Sequence, residues 1–177
     1  MAEGCQVCDN ISSSKFILFE DEDIAVYLEE NAASLAHITV TTKKHYPTML
    51  AVPDYLVAWC FAIASKISRV LFASLSIQGL NWLVQIGASA GQEHEHFTLN
   101  LLPRLEKDGL ELRWTPKKAE PSELKSIQER YKSSTSRKWL FESKSGPVGS
   151  ETHQEEEVIK QEEGKENYLI KQLNRIP

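Results

Sequence analysis

The sequence predicts an α+β domain built on an antiparallel sheet and followed by a long polar extension. Three observations lead there. Short stretches rich in β-branched and aromatic residues, joined by short turns, lie on both sides of one long apolar segment. That segment, Asp54 to Gln78, is too long for a strand and has few charges, as a largely buried helix would. The apolar residues, 41% of the chain, are concentrated between Phe16 and Trp114.

The elements follow in order. After Cys5-x-x-Cys8 and the serine turn Ser12 to Ser14, "KFILFED" from Lys15 reads as a strand. An acidic turn, Glu20 to Asp23, leads to a second strand, "IAVYLEE". "AHITVTTKKH" from Ala36 is a third, β-branched and alternating. Pro47 and Pro53 punctuate the next stretch, Asp54 stands as a helix N-cap, and Gly79 is placed as the helix stop. "LNWLVQIG" and "HEHFTLNLLPR" are strands four and five, joined by the small-residue loop Gly87 to Gly91, and "GLELRW" from Gly109 reads as one more short strand. "PSELKSIQERYKSS" from Pro121 reads as a helix, with Leu124, Ile127 and Tyr131 at helical spacing.

The organisation is therefore a globular domain over 1–115, a helical extension over 116–142, an acidic linker over 143–166 and a short amphipathic segment over 167–177. The linker has too few apolar residues to repay ordering. The last segment carries Leu169, Leu173 and Ile176 on one helical face. Such a segment either docks into a partner protein, through Asn167 to Pro177, or folds back on its own domain.

Composition narrows the function. A net charge of −5 gives no reason to expect a nucleic-acid partner, which usually meets a basic surface. The start, "MAEGCQVCDN", is neither basic nor apolar, and the apolar run Tyr55 to Ser65 is shorter than the ~20 residues that span a bilayer. The expectation is a soluble cytoplasmic protein without a membrane partner. Three cysteines, two as Cys5-x-x-Cys8, do not form a disulfide framework.

Two sets of residues carry chemistry. Thiolates two apart on a tight turn can grip a tetrahedral ion, Zn²⁺ above all, if two more ligands converge. Of the five histidines, His45 follows a strand and His96 sits on another. On spacing alone a metal site and a set of ordinary small and polar side chains stay equally open. Beyond His96, strand alternation puts Thr98 and Asn100 on one face with it, and Phe97, Leu99 and Leu101 on the other.

Taken together, "YLEENAASLAHITVTTKKHYP" and "GLNWLVQIGASAGQEHEHFTLNLLPR" resemble the histidine triad (HIT) superfamily, over roughly Cys5 to Trp114. The matching parts are Ala36-His37, the strand "ITVT", the basic pair and histidine Lys43-Lys44-His45, the turn Ala90-Gly91-Gln92 and the closing Pro103-Arg104. The resemblance implies a HIT-like fold, with an antiparallel sheet of about five strands and one long helix. It also implies a homodimer through the main helix and a sheet edge, although a plain core helix explains the same apolar run.

The register implied by the resemblance places the three triad positions on His96, Thr98 and Asn100; His94 lies outside it. In the family the middle histidine attacks the α-phosphate of a nucleotide. Here it is Thr98, whose hydroxyl is a poor nucleophile without an activating base, and Asn100 cannot titrate. Glu93 stands where the family has a phosphate-binding Ser or Thr, with Glu95 nearby, and Ile86 replaces an asparagine. His37 and Gln92 are retained, and Glu29 replaces the Asp that binds ribose hydroxyls in the family, so the resemblance implies a surviving base-and-ribose pocket. In relatives with an N-terminal C-x-x-C the resemblance implies a structural zinc on Cys5, Cys8, His45 and His96.

Three functions follow as expectations. The first is a catalytically silent HIT domain with a structural Zn²⁺, serving as a scaffold or binding protein. The second is an active nucleotide hydrolase or nucleotidyl transferase, with His94 or His37 recruited as an atypical nucleophile. The third is a sensor that holds a nucleoside or nucleotide without turning it over.

Overall fold

The computed structural model describes residues 4–13 and 16–134. The end of the helical extension, the acidic linker and the segment Asn167 to Pro177 lie outside the described residues.

Five strands form one sheet: β1 (Ile17–Glu20), β2 (Ile24–Leu28), β3 (Ile38–Thr42), β4 (Gly79–Leu83) and β5 (Thr98–Arg104). Their spatial order is β1-β2-β3-β5-β4, and every neighbouring pair is antiparallel. The register follows from alternation, because a one-residue slip would turn the apolar set outward. Val26 faces Val40, Val40 faces Leu99, and Ile38 faces Leu101. These residues, with Ile24, make one fully buried face. The opposite face carries Tyr27, Thr39, Thr41, Thr98 and Asn100, with Thr39 opposite Asn100 and Thr41 opposite Thr98.

The helix α2 (Asp54–Ser74) covers the apolar face. Its buried residues Leu56, Cys60, Ile63, Ala64 and Leu71 recur at helical spacing, which makes a stripe toward the sheet. The helix ends earlier than Gln78. Leu75 bonds back to the Leu71 carbonyl, and Ser76 then takes a left-handed φ of 50°, which breaks the helical path. Gly79 is the first residue of β4 rather than the helix stop, and Pro53 rather than Asp54 takes the N-cap position. By length and composition α2 is apolar enough to cross a membrane, more so than the run Tyr55 to Ser65 alone suggested. Its stripe is instead packed into the core of the sheet.

Three further segments differ from expectation. The cysteine pair lies on a helix, α1 (Gln6–Ser12), with Cys5 at its N-cap, not on a tight turn. β5 starts at Thr98, and His94 to His96 approach it as bends. "GLELRW" forms no strand among the described residues. The strand just before it, β5, is already hydrogen-bonded on both edges, by β3 and β4, so it offers no ladder. The Arg104 guanidinium, paired with Asp108 at 2.6 Å, also donates to the Leu110 carbonyl and folds that segment back. The predicted helix after Pro121 is present as α3 (Pro121–Ser134), with Leu124, Ile127 and Tyr131 exposed.

Candidate metal centre and polar pocket

Cys5 and Cys8 project from the start of α1 toward His45, three residues beyond β3, and His96, two residues before β5. The four ligand atoms all lie within 4.8 Å of one another. Cys5 Sγ is 3.4 Å from His96 Nδ1, and Cys8 Sγ is 3.5 Å from His96 Nδ1 and 3.6 Å from His45 Nδ1. An ion held tetrahedrally, with Zn–S of about 2.3 Å and Zn–N of about 2.0 Å, sets sulfur-to-nitrogen edges of about 3.6 Å. The observed separations match that edge, so these four residues could hold a metal ion.

The surroundings agree with this donor set. His96 Nε2 donates to the Thr42 carbonyl at 2.9 Å, which fixes the proton there and leaves the Nδ1 lone pair facing the thiols. Burial lowers the His96 pKa against the opposing pull of that carbonyl, and His45 lowers it further, which favours the neutral ring that a metal needs. Cys8 and His96 are each only 1% exposed.

On the same side of the sheet lies a cavity of about 350 Å³. α1 supplies one wall through Gln6, Val7 and Asn10, while Thr39, Thr98 and Asn100 form the floor. His37 accepts from the Ala33 N–H on Nδ1 at 3.2 Å and donates from Nε2 to Asn100 Oδ1 at 3.1 Å. Both ring nitrogens are thereby engaged. The Thr39 hydroxyl lies 3.2 Å from both Glu29 Oε2 and Asn100 Oδ1. Thr98 Oγ1 receives the Asn100 amide at 3.4 Å; among the described residues no histidine or carboxylate bonds to it.

Each residue singled out from the sequence can now be placed. Cys5, Cys8, His45 and His96 converge on one point. Glu29, His37, Gln92, Thr98 and Asn100 all line the cavity. Gln92, however, gives both amide hydrogens to the protein, to the Pro47 carbonyl at 2.6 Å and the His94 carbonyl at 2.8 Å. It also accepts from the Gly87 N–H at 2.8 Å. Gln92 therefore shapes the loop. Glu93 and His94 line the opening, and no lysine or arginine does so among the described residues.

Sequence reading missed Tyr27, Gln6 and Asn10. Tyr27 is 2% exposed, and burial first, then the charge of Glu29, push its hydroxyl pKa up to about 12, while the neighbouring Asn10 and Thr39 side chains pull it the other way. Its place on the polar face was readable from alternation with Ile24 and Val26. The α1 residues had no such signal, because a helix reaches the cavity only through tertiary packing.

Known proteins share this architecture. The family model of the HIT domain matches residues 11–107, a stretch that begins after both cysteines of α1. The chain is 33% identical over 93 residues to the Adenylylsulfatase HINT3 of Arabidopsis thaliana, covering 52% of this chain. It thus spans about half, 47%, of that relative's length. A HIT family protein from Bacillus anthracis str. 'Ames Ancestor' superposes with a TM-score of 0.68 at 26% identity, over 77% of this chain and 100% of that one. A Zn-bound histidine triad family protein from Mycobacterium smegmatis superposes with a TM-score of 0.56 at 25% identity, over 75% of this chain and 98% of that one.

Proposed function

The chain belongs to the HIT domain family, and on that premise we propose that it is a non-catalytic binding module, stabilised by zinc, whose pocket takes a nucleoside or nucleotide. One observation carries the reading. His96 turns its Nδ1 to the thiols of α1, while the other triad positions hold Thr98 and Asn100, an unactivated hydroxyl and an amide. Bound zinc would be held by Cys5, Cys8, His45 and His96 and would supply structural cross-linking, since four protein ligands leave no open position. The Zn-bound relative from Mycobacterium smegmatis supports zinc as the metal.

Within the pocket, Glu29 and Thr39 are suited to sugar hydroxyls, one as an acceptor and the other as donor and acceptor. Glu93 and the absence of lysine and arginine among the described lining residues favour a neutral nucleoside over its phosphates. The outward side chains Tyr55, Trp59 and Val70 of α2 support a homodimer as the working assembly.

The test combines metal analysis, binding and turnover. Protein prepared without chelator should carry about one zinc per chain, and Cys8→Ser should lose it and lower the melting temperature. Adenosine should raise the melting temperature, whereas dinucleoside polyphosphates and nucleoside phosphoramidates should not be hydrolysed. The name of the Arabidopsis relative favours a second reading, an active hydrolase in which His94 serves as nucleophile at the pocket opening. A turnover near ~1 per second or above, abolished by His94→Ala, would establish that reading and sink the first; abolition by Thr98→Ala would sink the first as well and make the Thr98 hydroxyl the nucleophile.

A further inference from the structure

α1 is shared by the two sites. Its N-cap and first turn provide Cys5 and Cys8 to the metal centre, and its Gln6, Val7 and Asn10 form a wall of the cavity. Of its seven residues Val7 and Cys8 are buried and Asn10 and Ile11 half-buried. An isolated helix of this length is unstable in water, and burying one valine and part of one isoleucine does not offset the ordering entropy of seven residues. The sulfurs of Cys5 and Cys8, close to His45 and His96, supply a further anchor.

From this we infer that the metal centre is the clip that seats α1, so that metal occupancy decides whether the pocket is closed. Asn10 and Gln6 then become ligand-positioning residues that exist as such only in the metal-loaded protein. Asn10 is the stronger of the two, because it is half-buried in the cavity wall whereas Gln6 is exposed. The sheet itself does not depend on α1: its core is the other face, under α2. A ligand that touches α1 binds only the seated state, and by linkage it must hold the metal as strongly as the metal holds it. This part of the inference rests on the nucleoside reading of the pocket; the seating of α1 does not.

The experiment uses the full chain, loaded with zinc or stripped by chelator, and follows amide hydrogen exchange by mass spectrometry. Stripping should remove protection from the peptide covering Gln6 to Ser12 by at least about 100-fold, while the β2, β3 and β5 peptides stay protected and lose far less than α1, as a local opening requires. Protection of α1 that survives stripping overturns the inference. So does a loss across the sheet as large as that in α1, since the metal would then hold the domain rather than the wall. The second arm measures zinc affinity by equilibrium competition with a chelator, with and without adenosine. Adenosine should tighten zinc by about the factor by which zinc tightens adenosine. Asn10→Ala should bring that factor close to one, read as the ratio of zinc affinities with and without adenosine in the variant itself. If adenosine binds the loaded protein yet leaves zinc affinity unaffected, the coupling is refuted. If α1 opens on stripping but adenosine binds neither state, the clip stands and the nucleoside reading falls.

Discussion

Glu93 lies at the pocket opening, exposed to solvent and beside His94. A phosphate entering there meets a like charge across partly solvated space, where the repulsion is on the order of 1 kcal/mol. Glu93→Ser should therefore tighten adenosine monophosphate by about threefold to tenfold, less at high salt, and leave adenosine unchanged. Equal effects on both ligands, measured by calorimetric titration, would place the phosphate elsewhere. Tyr27 makes a different claim. Its hydroxyl is held neutral by burial, with a pKa of about 12 against an ordinary 10. A raised pKa means that the folded state binds the proton more tightly than the unfolded state. The stability so gained is fully present below pH 10 and is lost as pH rises from 10 toward 12. Alkaline spectrophotometric titration should show one of the five tyrosines ionising last, and Tyr27→Phe should remove that step and the matching loss of stability.

At the scale of elements, the loop between β4 and β5 is set by one glycine. Gly91 has φ 82°, and a Cβ there would meet Gln85 Nε2 at 2.5 Å. That same Nε2 donates to the Gly91 carbonyl at 2.8 Å and the Ala90 carbonyl at 3.1 Å, closing the turn that carries Gln92. Gly91→Ala should cost about 1–2 kcal/mol from the left-handed backbone alone, with Gln85 displaced in addition. Denaturant unfolding should show the loss while zinc content stays the same, because none of the four candidate ligands lies on this turn. A stability equal to wild type would mean that the turn readily adopts another shape.

Across the whole molecule the sheet acts as a partition. One face is apolar and lies under α2; the other is polar and carries both the candidate metal centre and the pocket beneath α1. The chain beyond residue 134 lies outside the described residues. Its acidic linker separates the domain from Asn167 to Pro177, a segment proposed to serve a partner protein. Deleting Asn167 to Pro177 should leave zinc content unchanged and shift the melting temperature by less than about 1 °C, since ~1 kcal/mol corresponds to several degrees in a domain of this size. A clear fall in melting temperature would show instead that the segment packs on its own domain.

Much of this was legible in the residues themselves. Alternation in "ITVTT" separates Ile38 and Val40 from Thr39 and Thr41, and the fold keeps that division. Length predicted the helix α2, but its few charges suggested a largely buried one; only the stripe facing the sheet is buried, and Tyr55, Trp59 and Val70 are exposed. The four ligand candidates could be named from motif resemblance, but spacing alone left them open, since Cys5 and His96 are 91 residues apart. Their meeting at 3.4 Å, the helical form of α1, its service as a pocket wall and the missing strand at "GLELRW" belong to tertiary structure. Each depends on which partner is already taken: α1 is placed by histidines from two distant loops, and β5 has no free edge to lend because β3 and β4 occupy both. Periodicity reports which face a side chain takes; only the assembled sheet decides what stands opposite it.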